Sequence, residues 1–167
     1  LKTLRILGVD PGSQKTGVAV LDVRGNQLKH VYHGLIRVQK LEFDQRLYHL
    51  FSGLGEVIRE FKPDTAAIED VFVSNNVSSA LKLGQARGSL VTACGHHGLR
   101  VQAYSPTQIK QAVTGFGRAD KLQIQHMVKI LLRPPEPLQE DAADALAVCI
   151  CHAHHVPMQK ILKQDIR

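Results

Sequence analysis

The spacing of apolar and polar positions changes along the chain, and the changes mark its elements. LRILGVD (4–10) is a continuous apolar run of strand length, and GVAVLDV (17–23) is rich in β-branched residues after a glycine-containing turn. QLKHVYHGLIRV (27–38) alternates after the turn signal Arg24-Gly25-Asn26. Short turns between consecutive strands predict an antiparallel meander. The period then lengthens: Phe43, Leu47, Leu50, Leu54, Val57, Ile58 and Phe61 recur at three- and four-residue steps, which predicts an amphipathic helix stopped by Pro63. TAAIEDV (65–71) and RVQAYS (100–105) read as strands, and SSALKLGQARGSLVTACGHHG (78–98) as a long helix opened by Ser78 or Ser79. Ser105-Pro106 starts a further helix, and Asp120 caps another that runs through Leu132. Pro134, Pro135 and Pro137 then break the chain. The expected fold is α/β, with a mixed five-stranded sheet of three antiparallel and then two parallel strands, flanked by helices. One domain is expected over residues 1–155, followed by a tail, 156–167, to which the pattern assigns no role.

The last helix poses an electrostatic problem. In EDAADALAVCI (140–150), Asp141 and Asp144 are three residues apart and share one side of a helix that is otherwise small and apolar nearly all round, the pattern of a buried element. At roughly 6 Å and an effective dielectric near 20, two carboxylates repel by about 3 kcal/mol, whereas a helix N-terminus returns only about 0.3–1 kcal/mol for each. The pair requires a cation.

Composition narrows the class of protein. The 167 residues are 44% hydrophobic and 22% charged, as in an ordinary globular domain. No stretch approaches 18 apolar residues and the start has no signal-peptide organisation, so a soluble cytoplasmic protein is expected. Cys94, Cys149 and Cys151 lie in apolar helical segments without framework spacing, which predicts reduced core thiols. His152, His154 and His155 follow a helix rather than a CxxC or HExxH pattern, which argues against zinc. The net charge is +6, and residues 71–133 alone carry eight basic residues against one acid, Asp120, a local excess of +7. That concentration points to a polyanion-binding face.

Two further acids stand where a core would not require them. Asp10 ends the first strand, where Pro11-Gly12 turns the chain, and Glu69 sits within the TAAIEDV strand on the face of Thr65, Ala67 and Val71. Taken singly, Asp10 reads as a turn residue, Glu69 as an edge-strand surface residue and the aspartate pair as first-turn helix acids. Together, four acids on two strands and one helix of a basic protein describe a carboxylate cluster suited to Mg²⁺. Two divalent ions about 4 Å apart would activate water and stabilise the leaving oxygen of a phosphodiester.

GVDPGSQKTGVAV, AIEDVF, SSALKLGQARG and EDAADALAVCICHAH, in that order over residues 5–155, resemble the RuvC family of bacterial Holliday-junction resolvases. The resemblance implies a ribonuclease H-like fold, a homodimer, and Mg²⁺-dependent paired nicking of four-way DNA junctions with two ions per site and Mn²⁺ as a substitute. It assigns catalysis and metal binding to Asp10, Glu69, Asp141 and Asp144. It places Phe72, which could otherwise be a hydrophobic plug at the sheet end, as an aromatic stacking on an unpaired base, and Lys110 and Lys121, otherwise solvated helix lysines, near the scissile phosphate. Arg118 in TGFGRAD is a further candidate phosphate contact. RuvA and RuvB, the branch-migration proteins, are the partners it implies. Asp70 departs from the family pattern, which has Gln after the catalytic glutamate.

Other readings stay in competition. The acids could be structural in a non-catalytic junction-binding module, or serve a ribonuclease H-type nuclease on the same fold. DPGSQKTG also suits the phosphate turn of an actin-like ATPase, but that fold needs two domains, more than 167 residues supply. The glycine-bearing stripe of the 78–97 helix fits either packing on the sheet or an isologous dimer contact.

Overall fold

The computed structural model describes residues 2–70 and 75–156. Its elements run β1 (Leu4–Asp10), β2 (Lys15–Arg24), β3 (Gln27–Arg37), α1 (Phe43–Phe61), β4 (Thr65–Glu69), α2 (Val77–His96), β5 (Val101–Tyr104), α3 (Pro106–Thr114), α4 (Lys121–Leu132) and α5 (Glu140–His155). The strands form one sheet in the order β3-β2-β1-β4-β5. β1, β2 and β3 pair antiparallel, while β4 lies parallel to both β1 and β5. The meander and the parallel pair are thus those expected from the hydrophobic pattern, with β4 in the interior of the sheet.

Strand alternation sorts side chains between two layers. Leu7, Val9, Val18, Val20, Ala66 and Ile68 pack with Leu50, Leu54 and Ile58 of α1 and Ala86, Leu90 and Ala93 of α2. Leu4, Ile6, Ala19, Leu21, Val23 and Ala67 pack on the other side with α3, α4 and α5. Asp10 falls in the register of Leu4, Ile6 and Gly8, and Glu69 in that of Thr65 and Ala67. Both strands therefore end in an acid on the α5 side.

Every residue of α5 from Ala142 to His152 is buried except Asp144. The helix reaches this depth because small residues meet small residues. A Cβ on Gly8 would overlap the Ala145 carbonyl and the Cys149 sulfur, and a Cβ on Gly17 would overlap the Asp141 carbonyl. The ring of His152 ties α5 to the sheet through the Thr65 hydroxyl at 3.1 Å and the Tyr104 hydroxyl at 2.9 Å. Burial depresses its pKa to about 4, so it stays neutral. The three cysteines are free and buried. Among the described residues, no helix is long and apolar enough to cross a membrane.

Three of the boundaries that differ from the sequence reading have a clear local cause. β2 begins at Lys15 rather than Gly17, because Lys15 and Thr16 pair with Arg37 and Ile36 of β3. β4 ends at Glu69, and the Asp70 N–H donates to the Tyr104 carbonyl at 2.8 Å. The cap of α2 is Asn76, not Ser78 or Ser79: its side chain accepts from the Ser79 N–H at 3.1 Å, which draws Val77 and both serines into the first turn. Along α2, a Cβ at Gly84, Gly88 or Gly95 would meet nothing within 4 Å. These glycines do not serve packing on the sheet. Val77 and Leu81 of the same helix are 67% and 64% exposed, which leaves α2 an open face.

Candidate active site

After β1 the chain turns sharply at Pro11-Gly12. The fully buried Thr16 closes the turn: its hydroxyl donates to the Gly12 carbonyl at 3.2 Å and accepts from the Gly12 N–H at 3.3 Å. β2 is thereby returned beside Asp10, with Gly17 opposite it. The first turn of α5 rests on Gly17 and brings Asp141 and Asp144 over the strand end. One carboxylate oxygen from each of Asp10, Asp141 and Asp144 lies within 4.8 Å of the others. Glu69 is outside that set of three but is the neighbouring carboxyl that acts most strongly on Asp10. With Asp144 it lines a cleft of about 260 Å³, whose other walls include Ile109 and Lys110 of α3 and Lys121 and Ile124 of α4.

The cluster holds more negative charge than its surroundings can neutralise. Burial, reinforced by Glu69, raises the Asp10 pKa to about 9, so this carboxyl keeps its proton at neutral pH. Burial also raises Asp144 to about 6, against the opposing pull of Lys121. Two lysines reach in from opposite layers. Lys15 Nζ of β2 lies 3.0 Å from Asp141 Oδ2. Lys121 of α4 is ion-paired with Glu140 and lies 3.5 Å from Asp144. All-oxygen, mutually repelling donors of this kind fit a divalent hard cation, which would take the place of the retained proton.

These shifts set a pH dependence. Both carboxyls have folded-state pKa values above their unfolded ones, so the protonated forms are favoured by folding and that stability is lost as pH rises through the folded values. Below about pH 6.5 the loss is offset by His152, whose depressed pKa makes folding more favourable as pH rises; above it the metal-free protein is expected to lose stability up to about pH 9, the value for Asp10. Thermal melts in EDTA should show the decline, and Mn²⁺ should reverse most of it at pH 8. A melting temperature independent of pH over that range would contradict the assignment.

The remaining sequence-predicted positions separate clearly. Lys110 and Lys121 wall the cleft, whereas Arg118 is exposed on the turn between α3 and α4 and is not among the cleft-lining residues. Phe72 lies outside the described residues. Asp70 turns to α2, where it accepts from Arg87 at 3.1 Å. Sequence reasoning missed Lys15, Glu140 and the two sheet glycines. The signal for Lys15 and Gly17 was strand alternation, which places both on the face of Ala19 and Leu21.

A mixed sheet that opens with an antiparallel meander and gathers carboxylates at adjoining strand ends, beneath a helix that adds more, defines the ribonuclease H-like class of nucleases. Residues 6–152 match the family model described as crossover junction endodeoxyribonuclease RuvC. Relatives of that name from Geobacter sp. (strain M21) and Shewanella frigidimarina (strain NCIMB 400) are 52% identical over 159 residues and 53% identical over 149 residues. These alignments cover 95% of this chain and 97% of the first relative, and 89% and 86% for the second. The solved structure of Thermus thermophilus RuvC in complex with Holliday junction substrate matches with a TM-score of 0.84 and 31% identity, covering 90% of this chain and 93% of that one. The chain belongs to the RuvC family of crossover junction endodeoxyribonucleases.

Proposed function

We infer that this protein is a structure-selective DNA endonuclease that resolves four-way junctions by paired symmetric nicks, in homologous recombination and DNA repair. The observation that carries the reading is the meeting of Asp10, Asp141 and Asp144, with Glu69 beside Asp10, at the strand ends of a RuvC-family fold. The four acids are the proposed ligands of Mg²⁺, two ions per site, with Mn²⁺ as a substitute. When bound, the ions supply Lewis-acid activation of water and of the leaving oxygen of the phosphodiester.

The chain's own groups do the rest. Asp10 gives up its retained proton when the site is loaded, and Glu69 and Asp144 present their carboxyls at the cleft. Lys110 and Lys121, on its walls, neutralise charge that develops on the scissile phosphate. Arg118 contributes a more distant phosphate contact. Phe72 stacks on an unpaired base at the junction centre, a contact worth about 1–3 kcal/mol. The open glycine face of α2 supports a homodimer, since close helix approach needs small residues and a two-fold enzyme suits a substrate with two equivalent strands. RuvA and RuvB are the proposed partners, and the substrate places the enzyme with the chromosome in the bacterial cytoplasm.

A synthetic four-way junction, a matched linear duplex and an RNA–DNA hybrid, each with and without Mg²⁺, test this reading. Symmetric nicks confined to the junction and to Mg²⁺ are expected. Cleavage of the RNA strand would replace it with a ribonuclease H activity, and binding without nicks would reduce the protein to a junction-binding module.

A further inference from the structure

We propose that Lys15 is an exchangeable counter-ion: it holds Asp141 in the metal-free protein and moves to a DNA phosphate when Asp141 takes up a divalent ion. The proposal rests on the metal-dependent nuclease reading above and adds a substrate-binding residue to it. Lys15 pairs with Arg37 of β3, and its neighbour Thr16 is fully buried and bonded to Gly12, so the root of the lysine side chain is fixed. Two residues on, Gly17 lies directly beneath the first turn of α5. Strand alternation puts Lys15 on that same face, at the open end of the carboxylate cluster.

The side chains meet at the cluster's edge. Lys15 Nζ is 3.0 Å from Asp141 Oδ2, with the two side chains 50% and 24% exposed. Asp141 also offers an oxygen within 4.8 Å of those of Asp10 and Asp144. A divalent ion shared by these oxygens would stand close to the lysine ammonium, and two like charges cannot both occupy the carboxylate cheaply. Lysine is suited to give way, because a compact charge on a flexible four-carbon stem can swing while its backbone stays fixed. A phosphate brought to the metal-loaded cluster supplies the anion that it has lost. Lys121 makes the corresponding arrangement from the opposite layer, against Asp144 and Glu140. Lysine–carboxylate pairs are thus traded for metal–carboxylate and lysine–phosphate pairs, and junction and metal favour one another's binding.

Lys15→Met, which keeps the stem and removes the charge, tests the exchange, with Lys15→Arg as the charge-retaining control. Calorimetric titration of the free protein with Mn²⁺ should show binding tightened roughly two- to fivefold in the Met variant, the factor an exposed ion pair is worth. Junction affinity by fluorescence anisotropy should weaken about fivefold in Ca²⁺, with the salt slope reduced by about one phosphate contact, and weaken less in EDTA. The Arg variant should stay near wild type in both assays. Unchanged or weaker Mn²⁺ binding in the Met variant would overturn the proposal, as would equal losses of junction affinity in Ca²⁺ and EDTA, which mark an ordinary surface contact. Failure of the wild-type protein to bind Mn²⁺ or junction would instead overturn the nuclease reading, and the exchange with it.

Discussion

Asp10→Asn is expected to lower junction cleavage by about a thousandfold or more and, in the same protein, to raise its stability at pH 8 by about 2 kcal/mol. The two effects share one cause. Asp10 is the acid on which burial and Glu69 press hardest, raising its pKa to about 9. Folding the metal-free protein at neutral pH therefore imposes either a retained proton or an uncompensated buried charge. Asparagine removes that burden, and its neutral amide no longer opposes the nearby charge of Glu69. The carboxylate that strains the metal-free fold is also the one proposed to hold the catalytic ions, so its loss should remove several kcal/mol of transition-state stabilisation. Denaturant titration and single-turnover cleavage measure both sides. A variant less stable than wild type, or one that still cuts at more than a tenth of the wild-type rate, would contradict this account of the site.

Gly17→Val is expected to destabilise the protein by about 3 kcal/mol, lowering the melting temperature by roughly 10 °C, and to abolish cleavage. Any Cβ at this position would overlap the backbone carbonyl of Asp141, and a carbonyl held in a helix cannot rotate away as a flexible side chain can. Relief requires the first turn of α5 to rise from the sheet, and that turn carries Asp141 and leads into Asp144. The cluster within 4.8 Å would open even if the rest of the buried helix held its place. Gly8→Ala should show a related loss of stability, because it meets the Ala145 carbonyl one turn further along. Scanning calorimetry and cleavage of the same preparations test the point, and wild-type values for both at Gly17→Val would exclude a tight seat for α5.

How far the chain could be read in advance depended on the range of the interaction concerned. β1 and α1 have the boundaries the pattern predicts, because their apolar runs are long and each is cut by a proline-bearing turn at Pro11 or Pro63. Asp10 and Glu69 were visible as acids out of place on strands, and Asp141 and Asp144 as acids on a buried helix, since each conflict is local. The residues that reconcile those conflicts were not visible. Lys15 belongs to a turn motif that looks complete without a partner, and Asp141 becomes its neighbour only when α5 docks on β2. Gly17 reads as the opening of a strand after a turn, although its use is to admit a helix backbone. The glycines of α2 left sheet packing and a dimer contact equally open until the fold turned them to open space. Hydrophobic periodicity reports which face is buried and says little about how closely two layers approach.

Asp10, Glu69, Asp141 and Asp144 are proposed to form one metal centre for cutting DNA. Crystals of the protein with a four-way junction, grown with Mn²⁺ and measured at the manganese absorption edge, test it most directly. Anomalous peaks are expected within coordination distance of these carboxylates and beside a junction phosphate. Peaks confined to the His152–His155 end of α5, or no bound manganese with the junction in place, would contradict it.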